Sequence, residues 1–205
     1  MSEAISRIKT GYTDGGRRLA LRLISKFESL PVTPNQLTVT GFLLNVAAAV
    51  LIVQEAFVWA TVVFVTASAA DALDGALARA HGKISPFGAF LDSTLDRASE
   101  GVILGGIALV LADQDETLAL ACAFVALTCS FLISYTRAKA EAIGLRGDVG
   151  LMARLERIVL VAVALPFAGY GTLPYVVYLL AAGTTLTVVQ RVLFVRKQLN
   201  QRVEE

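Results

Sequence analysis

The chain is poor in histidine, cysteine and charge, and each shortage excludes something. It has one histidine, His81, and two cysteines, Cys122 and Cys129. The cysteines lie seven apart in an apolar run with no histidine beside them, so neither a zinc site nor a disulfide is expected. They read as small packing residues, and His81 reads as a solvated loop histidine. Charged residues make up only 17% of the chain, against about 25% in an ordinary soluble domain. No continuous apolar stretch falls within residues 1–30, so no cleavable signal peptide is expected. There is no internal repeat or low-complexity segment, and a net charge of +1 says nothing about partners. What the chain has in quantity is apolar surface: 56% of its 205 residues are hydrophobic and its mean hydropathy is +0.66.

Crossing a bilayer takes about 20 mostly apolar residues. Six stretches qualify, near 36–54, 57–79, 88–112, 117–142, 153–171 and 174–196. The expected fold is therefore an all-α integral membrane protein, with six transmembrane helices forming one membrane domain over 33–198. Ahead of it, residues 1–32 form an arm in which Arg17–Leu30 reads as an amphipathic interfacial helix. Leu19, Leu23, Ile24, Phe27 and Leu30 share one face, and Arg17, Arg18, Arg22, Lys26 and Glu28 lie towards the other. Residues 199–205 form a short tail. The turns near 54–57, 112–117 and 169–174 carry Glu55, Asp113, Asp115 and Glu116 but no lysine or arginine. All 18 lysines and arginines lie elsewhere. The positive-inside rule then puts both termini in the cytoplasm of a multi-pass cell-membrane protein.

Against that apolar background stand four carboxylates. Asp71 and Asp74 are three apart and Asp92 and Asp96 four apart, so each pair shares a helix face. A carboxylate in a membrane helix costs roughly 2.5 to 3.5 kcal/mol, so the cluster requires positive charge. Two divalent cations would balance it, and all-oxygen ligands favour Mg²⁺ with Mn²⁺ possible. Paired metals held by carboxylates are suited to displacement at phosphorus. Gly75 and Gly88 remove side chains beside the carboxylates and permit close approach of a ligand or a helix. Arg79 offers a planar fork for a diphosphate.

The spacing Asp71-x2-Asp74-Gly75-x2-Ala78-Arg79-x8-Gly88-x3-Asp92-x3-Asp96 resembles the signature of the CDP-alcohol phosphotransferases, integral membrane enzymes of phospholipid synthesis. The resemblance implies that Asp71 and Asp92 bridge two metals, that Asp74 binds one of them, and that Asp96 binds the other and acts as general base. It implies a CDP-lipid donor held by Gly75, Ala78, Arg79, Ser85 and Gly88. The segment Thr33-Pro34-Asn35-Gln36-Leu37-Thr38 resembles the family's entry to the first span, so Asn35, Gln36, Leu37 and Thr38 are expected to line the nucleotide site. A homodimer surrounded by membrane lipids is also implied, with no nucleic-acid partner.

The second half of the chain bears on the acceptor. Ser134, Arg137, Arg157 and Arg191 fall near the cytoplasmic ends of three different spans. A cationic pocket beside an anionic cluster suits an acceptor with its own phosphate. Ser134–Glu141, Gly144–Asp148, Glu156-Arg157 and Gln190-Arg191 resemble the inositol-phosphate branch of the family, placing those four residues on the acceptor phosphate. The implied reaction joins CDP-diacylglycerol or CDP-archaeol to 1L-myo-inositol 1-phosphate and releases CMP. The order Arg137 then Lys139 departs from the actinobacterial Lys then Arg. Two alternatives stand beside this reading: glycerol 3-phosphate as acceptor, and a metal-ion transporter. The almost wholly apolar outer halves of the spans count against a through-path.

Overall fold

The computed structural model describes the backbone of residues 33–80 and 85–204 and the side chains of 33, 35–71 and 85–202. The amphipathic arm and His81 lie outside the described residues. Among the described residues six α-helices follow in order: α1 Pro34–Val53, α2 Phe57–Ala80, α3 Pro86–Asp113, α4 Thr117–Ala142, α5 Arg154–Ala164 and α6 Leu173–Glu204. A 3₁₀ segment, Leu165–Tyr170, continues α5. Among the described residues there is no strand.

Local chemistry sets the helix ends. Thr33 caps α1 reciprocally: its side chain accepts from Gln36 N–H at 3.3 Å, and its own N–H donates to Gln36 Oε1 at 2.9 Å. Ser85 caps α3 by accepting from Gly88 N–H at 2.9 Å, with Pro86 in the first helical position. The α1 and α3 C-termini close the same way. Ala56 N–H donates to Leu51 O and Glu116 N–H to Leu111 O, both at 2.9 Å, with Glu55 and Asp115 in the left-handed region at φ 56° and 57°. The span expected over 153–171 is broken, because Pro166 has no N–H to extend the α-helical ladder and the chain tightens into 3₁₀ there.

Three helical stretches are long and apolar enough to cross a membrane: Asn35–Val53, Thr117–Ala142 and Leu173–Arg202. The apolar part of α2, Phe57–Asp71, is shorter, while α3 carries Asp92, Asp96 and Arg97 in its first half and Glu100 at its middle. The outside of the bundle is apolar, with Val58, Trp59, Val62, Phe124, Leu179 and Leu186 all exposed. Its interior is built from small and branched residues such as Ala48, Ile52, Ala60, Ile107, Ala123 and Val177. That distribution fits a protein whose solvent is lipid and whose helices associate by close packing. The small residues of α3 and α6 find partners within the chain: Gly106 packs on the Ala49 backbone of α1, and Met152 covers Gly183.

The segment 143–153 between α4 and α5 is tied to one face of α6. Thr187 Oγ1 accepts from Met152 N–H at 2.9 Å and Gln190 Oε1 from Leu151 N–H at 3.1 Å. Gln198 brackets Arg146, accepting from its N–H at 3.1 Å and donating to its carbonyl at 2.8 Å. Arg202 donates to Gly144 O at 2.5 Å. Gly150, at φ 135°, leaves no room for a Cβ against Thr187. These ties fix where α5 begins, and with it two arginines of the site.

Candidate active site

Asp71 sits where the apolar part of α2 ends, and α3 runs past it with Asp92 and Asp96. One carboxylate oxygen from each of the three lies within 4.8 Å of the others. Three converging hard oxygens with no nitrogen or sulfur among them fit a small divalent cation such as Mg²⁺ or Mn²⁺. Asp74 follows Asp71 on α2, but its side chain lies outside the described residues, as do those of Gly75, Ala78 and Arg79.

Arg154, in the first turn of α5, reaches into the cluster. Its Nη1 lies 2.7 Å from Asp71 Oδ2 and its Nη2 2.6 Å from Asp96 Oδ1, so one guanidinium bridges two helices. Arg97 adds a longer contact of 3.4 Å to Asp96 Oδ2. Asp96 is thus held by two arginines.

The expected donor residues divide. Asn35 and Ser85 meet at Gly88: a Cβ on Gly88 would lie 3.1 Å from Asn35 Oδ1 and 2.9 Å from Ser85 Oγ, so only glycine lets the starts of α1 and α3 close together. Thr38 lines a crevice of about 640 Å³ that runs from Asp71 and Asp96 towards Phe64, Leu104 and Leu180. Polar at one end and apolar at the other, it has the character of a lipid-headgroup site. Gln36 is committed to the capping box, and Leu37 is half-buried on α1.

The expected acceptor residues come together. Ser134, Arg137, Arg157 and Arg191 all line a second cavity, of about 430 Å³, with Asp96, Arg97, Glu100 and Arg154. Five arginines there face two carboxylates. Each of the three expected arginines is held differently. Arg137 pairs with Glu141 one turn on, at 2.8 Å and in the open. Arg157 is 5% exposed and forks onto Glu100 of α3, with Nη2 2.9 Å from Oε2 and Nε on Oε1, while its Nη1 donates to Met152 O at 2.9 Å. Arg191, also 5% exposed, donates to Val149 O at 2.8 Å and to Ile133 O. Among the described residues it has no carboxylate partner. Beyond the helices, Arg146 hydrogen-bonds Asp148 at 3.0 Å and holds that carboxyl below its usual range.

The CDP-alcohol phosphatidyltransferase family profile matches residues 31–189, which carry the whole lining of the first cavity and all of the second but Arg191. The chain belongs to this family. It is 40% identical over 181 residues to the archaetidylinositol phosphate synthase of Pyrococcus horikoshii, covering 87% of this chain and 91% of that one. It is 39% identical to the phosphatidylinositol phosphate synthase of Corynebacterium glutamicum, covering 82% and 80%. Among solved structures it is similar to Mycobacterium tuberculosis phosphatidylinositol phosphate synthase with CDP-DAG bound, at a TM-score of 0.80 and 31% identity over 87% of this chain and 94% of that one. The same enzyme in complex with manganese and citrate gives 0.77 at 31% identity, over 86% and 88%. The protein is thus an integral membrane transferase of phospholipid synthesis, and the transporter alternative falls away.

Sequence reasoning missed three members of the site: Arg97, Glu100 and Arg154. Spacing offered a signal for two. Glu100 lies four residues after Asp96 and so shares its face of α3, and Arg154 lies three before Arg157 on α5.

Proposed function

We propose that the protein transfers the phosphatidyl group of a CDP-linked lipid, CDP-diacylglycerol or CDP-archaeol, to a hydroxyl of inositol 1-phosphate and releases CMP. The observation that carries the acceptor assignment is Arg191. Its buried guanidinium is held by backbone carbonyls with no direct carboxylate partner among the described residues, and it lines a cavity in which arginines outnumber carboxylates. A phosphate on the acceptor supplies the missing charge, and a neutral alcohol does not. The names of the relatives agree, since both are inositol phosphate lipid synthases.

The donor takes the crevice with the apolar end, its tails towards Phe64, Leu104 and Leu180 and its diphosphate at the acidic cluster. Asn35, Thr38, Gly75, Ala78, Arg79, Ser85 and Gly88 form its polar end. Asp71, Asp74, Asp92 and Asp96 would hold two divalent cations, which when bound supply positive charge to the diphosphate. Asp96 accepts the proton of the acceptor hydroxyl. The freed oxygen bonds to the phosphorus carrying the lipid, and the bond from that phosphorus to the CMP oxygen breaks. Ser134, Arg137, Arg157 and Arg191 hold the acceptor phosphate in the second cavity. Both cavities share Asp96, so the two substrates meet at the base.

We place the site at the cytoplasmic face of the cell membrane, following the lysine and arginine distribution, with α5 and its 3₁₀ continuation completing six crossings. The test is CMP release by the purified protein with Mg²⁺ and either CDP-lipid. Inositol 1-phosphate, glycerol 3-phosphate, free inositol and no acceptor are run side by side. Release with inositol 1-phosphate and not with free inositol supports the assignment. A preference for glycerol 3-phosphate overturns the inositol part while keeping the phosphate pocket.

A further inference from the structure

We propose that Glu100 is a positioning residue for the acceptor: its half-buried carboxylate holds the Arg157 fork in the orientation that receives the acceptor's phosphate. This rests on the acceptor reading above and adds a residue to it. Glu100 is no part of the acidic signature and does not reach the carboxylate cluster. It lies one turn beyond Asp96 on α3, with 15% of its side chain exposed. Both of its oxygens accept from Arg157, one from Nε and one from Nη2.

Of the three arginines expected at the acceptor phosphate, only Arg157 depends on a half-buried carboxylate for its geometry. The partner of Arg137 is exposed, where such a pair fixes little. Arg191 is aimed by two carbonyls. Arg157 has five N–H donors. Glu100 and Met152 O use three of them. The remaining two, one on each terminal nitrogen, are left for a ligand in the cavity that Arg157 lines. A bidentate fork fixes a guanidinium plane as a single contact does not. Glutamine at 100 would fit the space but set an N–H₂ against an arginine N–H, and the fork would break.

The opposite expectation is a real competitor. Removing a carboxylate makes the cavity more positive and on charge alone would tighten phosphate binding, so the sign of the effect separates positioning from charge balance.

The experiment measures CMP release by full-length protein in lipid nanodiscs, with acceptor and donor titrated separately, for wild type, Glu100→Gln, Arg157→Gln and the double variant. The expected result for Glu100→Gln is a rise of about tenfold in KM for inositol 1-phosphate, the size of one lost charge-assisted hydrogen bond. KM for the CDP-lipid stays put and the effect on kcat is much smaller. The double variant is no worse than Arg157→Gln alone, because the two residues act as a unit. An acceptor KM that is unchanged or lower in Glu100→Gln overturns the proposal, as does equal damage to the donor KM. If Glu100→Gln does not fold, Arg157→Lys keeps the charge and the partner but loses the fork. It should show the same rise in acceptor KM, and a wild-type KM there is equally fatal. A wild-type enzyme with no preference for a phosphorylated acceptor overturns both this inference and the function it rests on. A wild type with that preference and an indifferent Glu100→Gln overturns the positioning role alone.

Discussion

Replacing Arg191 with glutamine removes the buried cation on which the acceptor assignment rests. The side chain makes two kinds of contact, and they predict different losses. Its bonds to Val149 O and Ile133 O tie α6 to the 143–153 segment and to α4. A hydrogen bond to a charged group contributes about 1.5 to 3 kcal/mol, so losing these contacts lowers stability and also loosens the cavity wall. A contact to the acceptor phosphate is of the same class. At about 1.4 kcal/mol per tenfold, losing it costs about 10- to 100-fold in kcat/KM for the acceptor. Arg191→Lys keeps the charge but cannot span both carbonyls and a phosphate, so it should recover only part of the loss. The assay is CMP release at saturating CDP-lipid with inositol 1-phosphate varied, then the reverse, with a thermal melt of each variant. The reasoning requires the loss to fall on the acceptor. An acceptor KM within twofold of wild type in a folded Arg191→Gln protein would refute it. So would a matching rise in the donor KM, which would mean that Arg191 only braces the bundle.

Three further outcomes follow from particular contacts. Arg154 bridges Asp71 and Asp96, so it competes for the oxygens a divalent cation needs. Arg154→Gln should tighten Mn²⁺ binding, read by electron paramagnetic resonance, by about tenfold or more, since like charges a few ångströms apart repel by about a kcal/mol or more; equal affinity in the two proteins would show that the bridge is irrelevant to metal entry. Gly88→Ala places a methyl 2.9 Å from Ser85 Oγ and 3.1 Å from Asn35 Oδ1. It should raise KM for the CDP-lipid about tenfold through the displaced starts of α1 and α3, with the acceptor KM unmoved, and a normal donor KM would remove Gly88 from the donor site. Asp115 is left-handed at φ 57° on the side away from the acidic cluster. Asp115→Gly should raise stability by about 0.5 to 1 kcal/mol without touching activity, because glycine lacks the Cβ clash, and a lower melting temperature would contradict that account.

Most of what places the helices was legible in the residues. Caps at Thr33 and Ser85, apolar runs of the right length and turns free of lysine and arginine outline the bundle. The clustered carboxylates were legible because a charge in a membrane helix has few bland explanations. The convergence of Ser134, Arg137, Arg157 and Arg191 on one cavity could be expected from three helix ends on one side. What could not be read is which charge meets which. Glu100 and Arg157 are 57 residues apart and Arg154 and Asp71 are 83 apart, and no local period links such pairs. Gln36 has a further part that its segment alone does not show: its side chain accepts from the backbone N–H of Thr33. Nor did the apolar content of 153–171 reveal that Pro166 ends α5 after three turns.

The four residues common to both cavities are Asp96, Glu100, Arg154 and Arg157. They form two ion pairs, Arg154 with Asp96 and Arg157 with Glu100, and each links α3 to α5. Ion pairs removed from water are a weak source of stability, because desolvation offsets most of the attraction. Apolar residues of similar size would serve the bundle as well or better, so the pairs are better explained by what they separate. A donor entering from the lipid and an acceptor entering from water need a common boundary that is polar enough to pass a proton and a phosphoryl group. The two pairs differ in the way this requires. Arg157–Glu100 is largely shielded from solvent and doubly hydrogen-bonded, suited to staying closed while it presents two N–H groups to the acceptor. Arg154 is 36% exposed and divides its contacts between two carboxylates, one of them the proposed base, suited to opening. On this argument the order of events is built into the wall: Arg154 leaves Asp96 when the acidic cluster finds other positive charge, and Arg157 stays to hold the acceptor.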